Sequence, residues 1–330
     1  NPNMKEGTMR RVMVKALGGP EQLSVESFDE VLRPEPGQVV VEVEAAGVNY
    51  LDINLRKGAS IHSIPLPYTP GLEGVGRVRD VGAGVEFEVG QRVAWMNVRA
   101  SYASQVVVSA EQAIPVPASF SVSEALLFQA MTAQYLATEY RSVKPGDRVL
   151  VHAAAGGVGQ LLVQWLKHLG AWVVGTASSD AKAATARIAG ADAVINYGRD
   201  YVFFDELLSL TDGRGVDLAF DSIGAATFAV TVKALARGGT AVACGASSGP
   251  APAINPMELI NPCTRVAGGS VFSYVADPAE LQRRAAAVVD AVSAGWLRMP
   301  DGTAYALDRA ADAHRDLEGR GTQGKLYLMP

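Results

Sequence analysis

The second half of the chain alternates short apolar runs with longer stretches that have helical spacing. The runs are rich in Val and Ala, and they recur from Lys144 onward. This alternation predicts β-strands joined by helices, and six such strands form a doubly wound parallel sheet with helices on both faces. The predicted strands are 148–154, 171–177, 191–196, 216–222, 239–245 and 264–272.

The first part of the chain has a different pattern, in which shorter apolar runs are punctuated by glycine. Strands predicted at 38–47, 74–81 and 92–95 indicate a β-rich unit. We expect the C-terminal stretch from Tyr305 to return to this unit, which makes it discontinuous in sequence. The expected domains are 9–127 together with 275–330, and 128–274.

The most specific local signal is the turn between the first two strands of the second half, Ala153-Ala-Ala-Gly-Gly-Val-Gly159. Gly156, Gly157 and Gly159 allow a sharp turn into a helix, whose free N–H groups then point back at the turn. The spacing is a variant of the dinucleotide-binding fingerprint, with Ala154 in the place of the first glycine. A plain strand-to-helix turn is the alternative, but the order strand, turn, helix, strand favours nucleotide binding.

Composition narrows the possible functions. The 330 residues suit two domains, and a formal net charge of -5 without a basic run argues against nucleic acid as a partner. No apolar stretch reaches membrane-spanning length and no signal-peptide pattern is visible, so we expect a soluble, cytoplasmic protein without a membrane partner. The two cysteines, Cys244 and Cys263, are expected to pack as buried free thiols.

Further motifs occur along the chain outside the glycine-rich turn. They are Gly18-Gly-Pro-Glu21, Gly47-Val-Asn49 with Asp52, Arg56-Lys-Gly58, Pro70-Gly71, Val81-Gly82, Gly90-Gln-Arg-Val93, Asp221-Ser-Ile-Gly224 and Thr322-Gln-Gly-Lys325. From Arg10 onward, this combination resembles the zinc-independent NADPH:quinone oxidoreductases, the zeta-crystallin type, of the medium-chain dehydrogenase/reductase superfamily. The resemblance implies an α/β protein with a GroES-like β-rich catalytic domain and a Rossmann domain with a doubly wound six-stranded parallel sheet.

The positions of the zinc ligands in that superfamily carry other residues here. Zinc-dependent members place a cysteine after Gly-Val and a histidine between Gly and Glu, whereas this chain has Asn49 and Leu72. None of the four histidines falls near this constellation, so we expect no metal. Without a Lewis acid to stabilise an alkoxide, quinones and polarised double bonds are the better hydride acceptors.

The resemblance implies NADPH-dependent reduction of quinones by hydride transfer, and two alternatives stay open. One is an enoyl or 2-alkenal reductase on the same fold, with Tyr50 or a water as proton donor. The other is a non-catalytic NADPH-binding protein in the manner of lens crystallins. The expected partner is a small hydrophobic quinone or activated alkene, because the segment 58–68 is moderately apolar.

The end of the second predicted strand of the sheet decides the choice of nicotinamide. NAD-preferring enzymes place Asp or Glu there, whereas this chain has Ala177 and Ser178. Ser178 and Ser179 can hydrogen-bond a 2′-phosphate and Lys182 can supply a positive charge, so the sequence favours NADPH. Asp180 would repel the phosphate unless it turned outward, and a solvated helix lysine is the alternative interpretation of Lys182.

The resemblance assigns further residues to the site. Asn49 corresponds to the asparagine near the nicotinamide ribose, Tyr50 either shapes the acceptor pocket or packs as a buried aromatic, and Thr132 bonds either in the site or to its own helix. These three are the catalytic candidates. Arg320 and Lys325 either close over the cofactor or form a polar surface turn. The expected cofactor contacts are Asn49, Tyr135, Gly156, Gly157, Val158, Gly159, Ser178, Ser179, Lys182, Tyr197, Ser222, Gly245, Ser247, Phe272, Arg320 and Lys325.

The oligomeric state is also implied by the resemblance. The family commonly pairs the edge strand of the cofactor sheet with its copy across a two-fold axis, which here is the predicted strand 264–272. We expect a homodimer, with a tetramer as the alternative.

Overall fold

In the second half of the polypeptide, strands and helices alternate as the sequence predicts. The computed structural model describes residues 9–29, 31–59, 63–198, 200–319, 321–322 and 324–330. The strands are β1 Met9–Val14, β2 Leu23–Phe28, β3 Gln38–Val48, β4 Glu73–Val81, β5 Arg92–Met96, β6 Gln105–Ser109, β7 Ile114–Pro115, β8 Arg148–Val151, β9 Trp172–Ala177, β10 Ala193–Asn196, β11 Val216–Asp221, β12 Leu235–Ala243, β13 Arg265–Gly268, β14 Gly302–Ala306 and β15 Lys325–Met329. The α-helices are α1 Tyr50–Lys57, α2 Val122–Ala125, α3 Phe128–Glu139, α4 Gly157–His168, α5 Asp180–Ile188, α6 Phe204–Leu210, α7 Phe228–Lys233, α8 Val271–Tyr274, α9 Pro278–Ser293 and α10 Ala310–Glu318.

The chain divides into two compact units. The first contains the described residues up to Phe128 and those from Pro300 onward, and the second contains Gln129–Met299. The first boundary lies one residue from the expected position. The second lies 25 residues beyond the expected residue 275, because the segment 275–299 belongs to the second unit.

Buried polar contacts of α9 explain the shifted boundary. Arg284 is 2% exposed. Its guanidinium donates to Gln134 Oε1 at 2.9 Å and forms an ion pair with Glu139 at 2.6 Å, both on α3. A buried arginine of this kind ties its helix to the partner carboxylate, since separation would leave a charge without compensation.

The second unit is built on a six-stranded parallel sheet in the order β10-β9-β8-β11-β12-β13. The strands are almost continuously apolar because helices cover both faces of such a sheet. Leu150, Val174 and Ala219 are fully buried in its core cluster together with Phe203 and Leu207. The predicted α/β class with a doubly wound six-stranded sheet is therefore confirmed.

The last strand of this sheet is shorter than predicted. The sequence predicted a strand over 264–272, but β13 ends at Gly268 and Val271–Tyr274 is helical. The Ser270 hydroxyl accepts a hydrogen bond from the Phe272 N–H at 3.3 Å, which caps this helical turn. Phe272 therefore lies on a helix.

The first unit contains a seven-stranded sheet in the order β14-β15-β3-β4-β5-β7, with β6 also paired to β3. The long strand β3 supplies Val39, Val41 and Val43 to a buried cluster that includes Trp95. Strand β15 is antiparallel to β3 and pairs Leu326 with Val48. This pairing brings the C-terminal end of the chain beside the start of α1.

Within the described residues, the helices are too short or too polar to cross a membrane.

Candidate active site

The glycine-rich turn lies in the second unit between β8 and α4. Ala153 adopts a positive φ of 50°, in the left-handed region that costs a non-glycine residue about 1–2 kcal/mol. A Cβ on Gly159 would lie 2.3 Å from the Ala153 carbonyl oxygen, so only glycine fits there. Gly156 precedes α4 without a side chain to cap it, and Gly157 and Val158 are the first helical residues. The helix N-terminus is therefore open to an anion.

The predicted 2′-phosphate residues lie together at the carboxyl edge of the sheet. Strand β9 ends at Ala177, whose carbonyl accepts the Tyr197 N–H at 3.0 Å. Ser178 and Ser179 are exposed beyond that strand end, and the Ser179 hydroxyl accepts the N–H of Lys182 at 3.3 Å. Ser179 therefore caps α5.

Asp180 is held by a neighbouring side chain. Its Oδ1 accepts a hydrogen bond from Asn196 Nδ2 at 2.7 Å. The carboxylate that the sequence placed close enough to repel a phosphate has a partner on the adjoining strand.

The ends of β11 and β12 meet at the same edge. The Ser247 N–H donates to the Ser222 carbonyl at 3.2 Å. A Cβ on Gly245 would lie 2.8 Å from that carbonyl oxygen, so glycine permits the close approach. The structure thus brings three predicted cofactor residues together.

An aromatic cluster lies at the end of β13. Tyr135 stacks on Tyr274 with ring centroids 5.0 Å apart, and its hydroxyl donates to the Gly269 carbonyl at 3.2 Å. Burial raises the pKa of Tyr135 well above its ordinary value, so its hydroxyl stays protonated. Phe272 lies on α8 with Tyr274, and half-buried Thr132 lies on α3, one turn before Tyr135.

In the first unit, Asn49, Glu73 and Lys325 form a buried group that we call the ion-pair cluster. Lys325 Nζ donates to Asn49 Oδ1 at 2.9 Å and forms an ion pair with Glu73 Oε2. Asn49 Nδ2 donates to the same Glu73 oxygen at 3.0 Å, and Glu73 Oε1 accepts the Phe128 N–H at 2.9 Å. Because an ammonium only donates, it fixes which end of the Asn49 amide is the oxygen.

The position of Lys325 excludes one of the two alternatives expected for it, the polar surface turn. The sequence suggested that Lys325 and Arg320 close over an anionic cofactor or form a surface turn. Lys325 is 3% exposed and its charge is compensated by Glu73, because β15 pairs with β3 and places it in the interior. Arg320 lies outside the described residues.

A second buried network adjoins this cluster. Asp52 Oδ2 accepts the Asn49 N–H at 2.9 Å and the Tyr102 hydroxyl at 3.2 Å, while that hydroxyl lies 3.0 Å from His314 Nε2. Burial raises the pKa of Asp52 to about 7, against the effect of its hydrogen bonds. Burial lowers the pKa of His314 to about 3. Both groups therefore favour the neutral form.

Tyr50 is the first residue of α1 and directly follows Asn49. Its side chain is 39% exposed, which excludes the alternative of a buried packing aromatic. The cysteines also differ from expectation. Cys244 is partly buried, whereas Cys263 is exposed with a positive φ of 54°.

Sequence reasoning gave no role to Glu73 or His152. Glu73 opens β4 directly before the buried run Gly74-Val-Gly76, and a carboxylate beside such a run is a signal of a buried ion pair. His152 is 2% exposed and directly follows the apolar run of β8, which is a similar signal. Within the described residues, His, Cys, Asp and Glu do not form a group of three or more that could hold a metal ion.

The comparisons with known proteins cover both units. Residues 35–118 match the model of the alcohol dehydrogenase GroES-like domain, and residues 157–290 match that of the zinc-binding dehydrogenase. The chain is 36% identical to a 2-haloacrylate reductase of Burkholderia sp., over 96% of this chain and 98% of the relative. It is 34% identical to a quinone oxidoreductase of Pseudomonas aeruginosa, over 97% of this chain and 99% of the relative.

A solved structure extends this likeness to the whole fold. The quinone oxidoreductase of Escherichia coli complexed with NADPH superimposes with a TM-score of 0.91 at 32% identity, covering 97% of this chain and 100% of the other. Near-complete coverage at this identity shows family membership. The chain belongs to the quinone oxidoreductase family of the medium-chain dehydrogenase/reductase superfamily.

Proposed function

We propose that the protein reduces quinones with NADPH by hydride transfer. The observation that carries this proposal is the match along nearly the whole chain to quinone oxidoreductases, one of them described in complex with NADPH. The glycine-rich turn and the strand ends of the second unit supply the kinds of group that a dinucleotide needs. NADPH, when bound, supplies the hydride.

The second unit holds and selects the cofactor in this proposal. The open N-terminus of α4 receives the pyrophosphate, since its N–H groups and dipole favour an anion. Ser178, Ser179 and Lys182 hydrogen-bond the 2′-phosphate. Asp180 accepts a hydrogen bond from Asn196, and in this proposal that contact keeps the carboxylate turned from the phosphate.

The first unit orients the ribose next to the nicotinamide. Lys325 and Glu73 fix the Asn49 amide, whose Nδ2 carries two hydrogens and gives one of them to Glu73. The second hydrogen is directed to a ribose hydroxyl in this proposal. A fixed donor costs little reorganisation when the substrate binds, which is the advantage of pre-oriented groups.

Reduction of an activated alkene is the second candidate function. The observation that favours it is the 36% identity to a 2-haloacrylate reductase. Such an acceptor takes hydride at the β-carbon and needs a proton at the α-carbon. The exposed hydroxyl of Tyr50, adjacent to Asn49, is the proposed donor.

The test measures oxidation of NADPH and NADH with a para-quinone and with 2-chloroacrylate, for wild type and Lys182→Ala. We expect turnover of the quinone and a KM for NADPH that rises about tenfold in the variant, the effect of one charge-assisted hydrogen bond, with the KM for NADH unchanged. Lys233→Ala, an exposed lysine on α7, is the control. Turnover of 2-chloroacrylate alone would support the second candidate, and an equal rise for both cofactors would refute the role of Lys182.

We also propose that the protein is a homodimer formed through β13. This strand is at the edge of the six-stranded sheet, and Val266 on it is 38% exposed. Ile260 and Met257 nearby are 58% and 70% exposed. Light scattering should give the mass of a dimer for wild type and of a monomer for Val266→Lys, since a charge on an edge strand opposes pairing.

A further inference from the structure

His152 lies directly before the glycine-rich turn and is enclosed between two threonines. Its Nδ1 is 3.0 Å from the Thr176 hydroxyl and its Nε2 is 2.9 Å from the Thr231 hydroxyl. All three side chains are buried. The Thr231 hydroxyl in turn contacts Asp221 Oδ2 at 2.8 Å. We call Thr176, His152, Thr231 and Asp221 the hydroxyl–imidazole chain.

The directions of the two hydrogen bonds of the His152 ring follow from the partners of Thr231. Thr231 Oγ1 has two acceptors in reach, the Asp221 carboxylate at 2.8 Å and the Thr227 carbonyl at 3.0 Å. A carboxylate only accepts, so the Thr231 hydrogen must lie between Thr231 Oγ1 and Asp221 Oδ2, which are 2.8 Å apart, and Thr231 Oγ1 therefore accepts a hydrogen from His152 Nε2. Burial lowers the pKa of His152 below its ordinary value although Asp221 opposes this, so the ring is neutral. A neutral ring with hydrogen on Nε2 accepts at Nδ1, and therefore the Thr176 hydroxyl donates to it.

One end of the hydroxyl–imidazole chain contacts the glycine-rich turn. Because the hydrogen of the Thr176 hydroxyl is committed to His152, Thr176 Oγ1 is free to accept, and the Ala153 N–H lies 3.3 Å from it. Ala153 is the residue with the positive φ of 50°. The Ala154 N–H also donates to the Thr176 carbonyl, at 3.0 Å. Thr176 thus holds the non-glycine residue that begins the turn.

The other end of the chain reaches a second segment of the ligand edge. Asp221 Oδ1 accepts the N–H groups of Ile223 and Gly224 at 2.9 and 3.0 Å, and the Thr227 hydroxyl at 2.9 Å. Ser222 lies between Asp221 and these residues and makes the contact with Ser247. The hydroxyl–imidazole chain therefore joins two segments that are expected to contact the cofactor.

We propose that His152 is a positioning residue that holds the glycine-rich turn in its binding conformation through Thr176, and the 221–224 segment through Thr231 and Asp221. The imidazole acts as a connector with one donor and one acceptor, set by its Nε2–H tautomer. This inference rests on the proposed function only in that the turn binds NADPH.

The first test removes the hydrogen bond between the Ala153 N–H and Thr176 Oγ1. It then replaces Ala153 by a residue whose backbone does not need that bond. Thr176→Val keeps the side-chain shape but loses the hydroxyl, and Thr240→Val is the matched control, a buried threonine in the same sheet. We expect Thr176→Val to weaken NADPH binding about tenfold in a fluorescence titration, the effect of losing the tether to Ala153, with kcat unchanged. Adding Ala153→Gly to this variant should restore most of the affinity, because glycine adopts a positive φ without support.

Two results would overturn the proposal. One is an affinity for Thr176→Val equal to that of Thr240→Val, and the other is a double variant that binds no better than Thr176→Val. A general packing defect would not be repaired by Ala153→Gly, so the rescue separates positioning from stability. Wild-type protein that does not bind NADPH would refute the proposed function instead, which is a distinguishable outcome.

The second test does not need a variant or a cofactor. Nitrogen-15 NMR of histidine-labelled wild-type protein, with the His152 signal assigned, distinguishes the two neutral tautomers. We expect hydrogen on Nε2 at pH 7. Hydrogen on Nδ1, or a protonated ring, would contradict the direction of the chain and with it the proposal.

Discussion

The ion-pair cluster of the first unit and the hydroxyl–imidazole chain of the second solve the same problem by different means. The cluster fixes the buried Asn49 amide, and the hydroxyl–imidazole chain is proposed to fix the glycine-rich turn. The cluster uses two full charges, Glu73 and Lys325, which compensate one another around an amide. The chain uses one carboxylate and neutral donors whose directions follow from the Nε2–H tautomer of His152. Removing one member of the ion-pair cluster leaves the other charge buried without compensation. Removing one hydroxyl from the hydroxyl–imidazole chain loses only the hydrogen bonds of that hydroxyl.

The sharpest test of this contrast removes a charge from the cluster. Lys325→Met leaves the buried carboxylate of Glu73 without compensation, and we expect the free energy of unfolding in urea to fall by about 3–5 kcal/mol. Lys233→Met, at an exposed position, should change it by less than about 0.5 kcal/mol. Adding Glu73→Gln to Lys325→Met should recover part of the loss. A double variant less stable than Lys325→Met would mean that charge compensation is not what the cluster provides.

The pH dependence of stability tests the buried carboxyl next to the cluster. The pKa of Asp52 is raised to about 7 in the folded protein, well above that of an unfolded chain. Protonation therefore favours folding, and this contribution is present at acidic pH and lost as the pH rises through 7. Between pH 5 and 8, wild type should lose about 3 kcal/mol relative to Asp52→Asn, which does not titrate.

The difference between the two proteins is the quantity to compare, because His314 titrates in the opposite sense. Its pKa is lowered to about 3, so its contribution is lost as the pH falls below the ordinary value of a histidine. Urea unfolding at both pH values gives the result. Parallel curves for wild type and Asp52→Asn would show that Asp52 stays ionised.

The smallest effect on the free energy of unfolding is expected in the hydroxyl–imidazole chain. Thr231→Val removes the hydroxyl between His152 and Asp221, and the free energy of unfolding should fall by about 1–2 kcal/mol. Thr240→Val is again the matched control. A loss as large as that of Lys325→Met would erase the distinction between the charged and the neutral arrangement.

The sequence was most informative where structure depends on neighbours along the chain. The six parallel strands and the turn at Gly156–Gly159 follow from apolar runs and glycine spacing, and both lie where expected. The strand predicted over 264–272 was too long because capping by Ser270 outweighed an apolar run. The boundary at 275 shifted because Arg284 reaches Gln134, which is 150 residues away in sequence.

The interior of the candidate site was less accessible to sequence reasoning. Lys325 has the local pattern of a loop cation, and only the pairing of β15 with β3 reveals that it faces Glu73. The sequence assigns His152 no role, since neither Thr176 nor Thr231 is near it along the chain. Partners 24 and 79 residues away determine its role.

The burial of Cys244 affects how readily the electrophiles that the protein is proposed to reduce can alkylate it. It follows β12 at the ligand edge, directly before Gly245. Quinones and activated alkenes alkylate thiolates, and burial raises the pKa of this thiol to about 12. At neutral pH only about one molecule in 10⁵ carries the thiolate. The electrophiles that the protein is proposed to reduce therefore find no ready nucleophile at Cys244, and we expect them to alkylate the exposed Cys263 first.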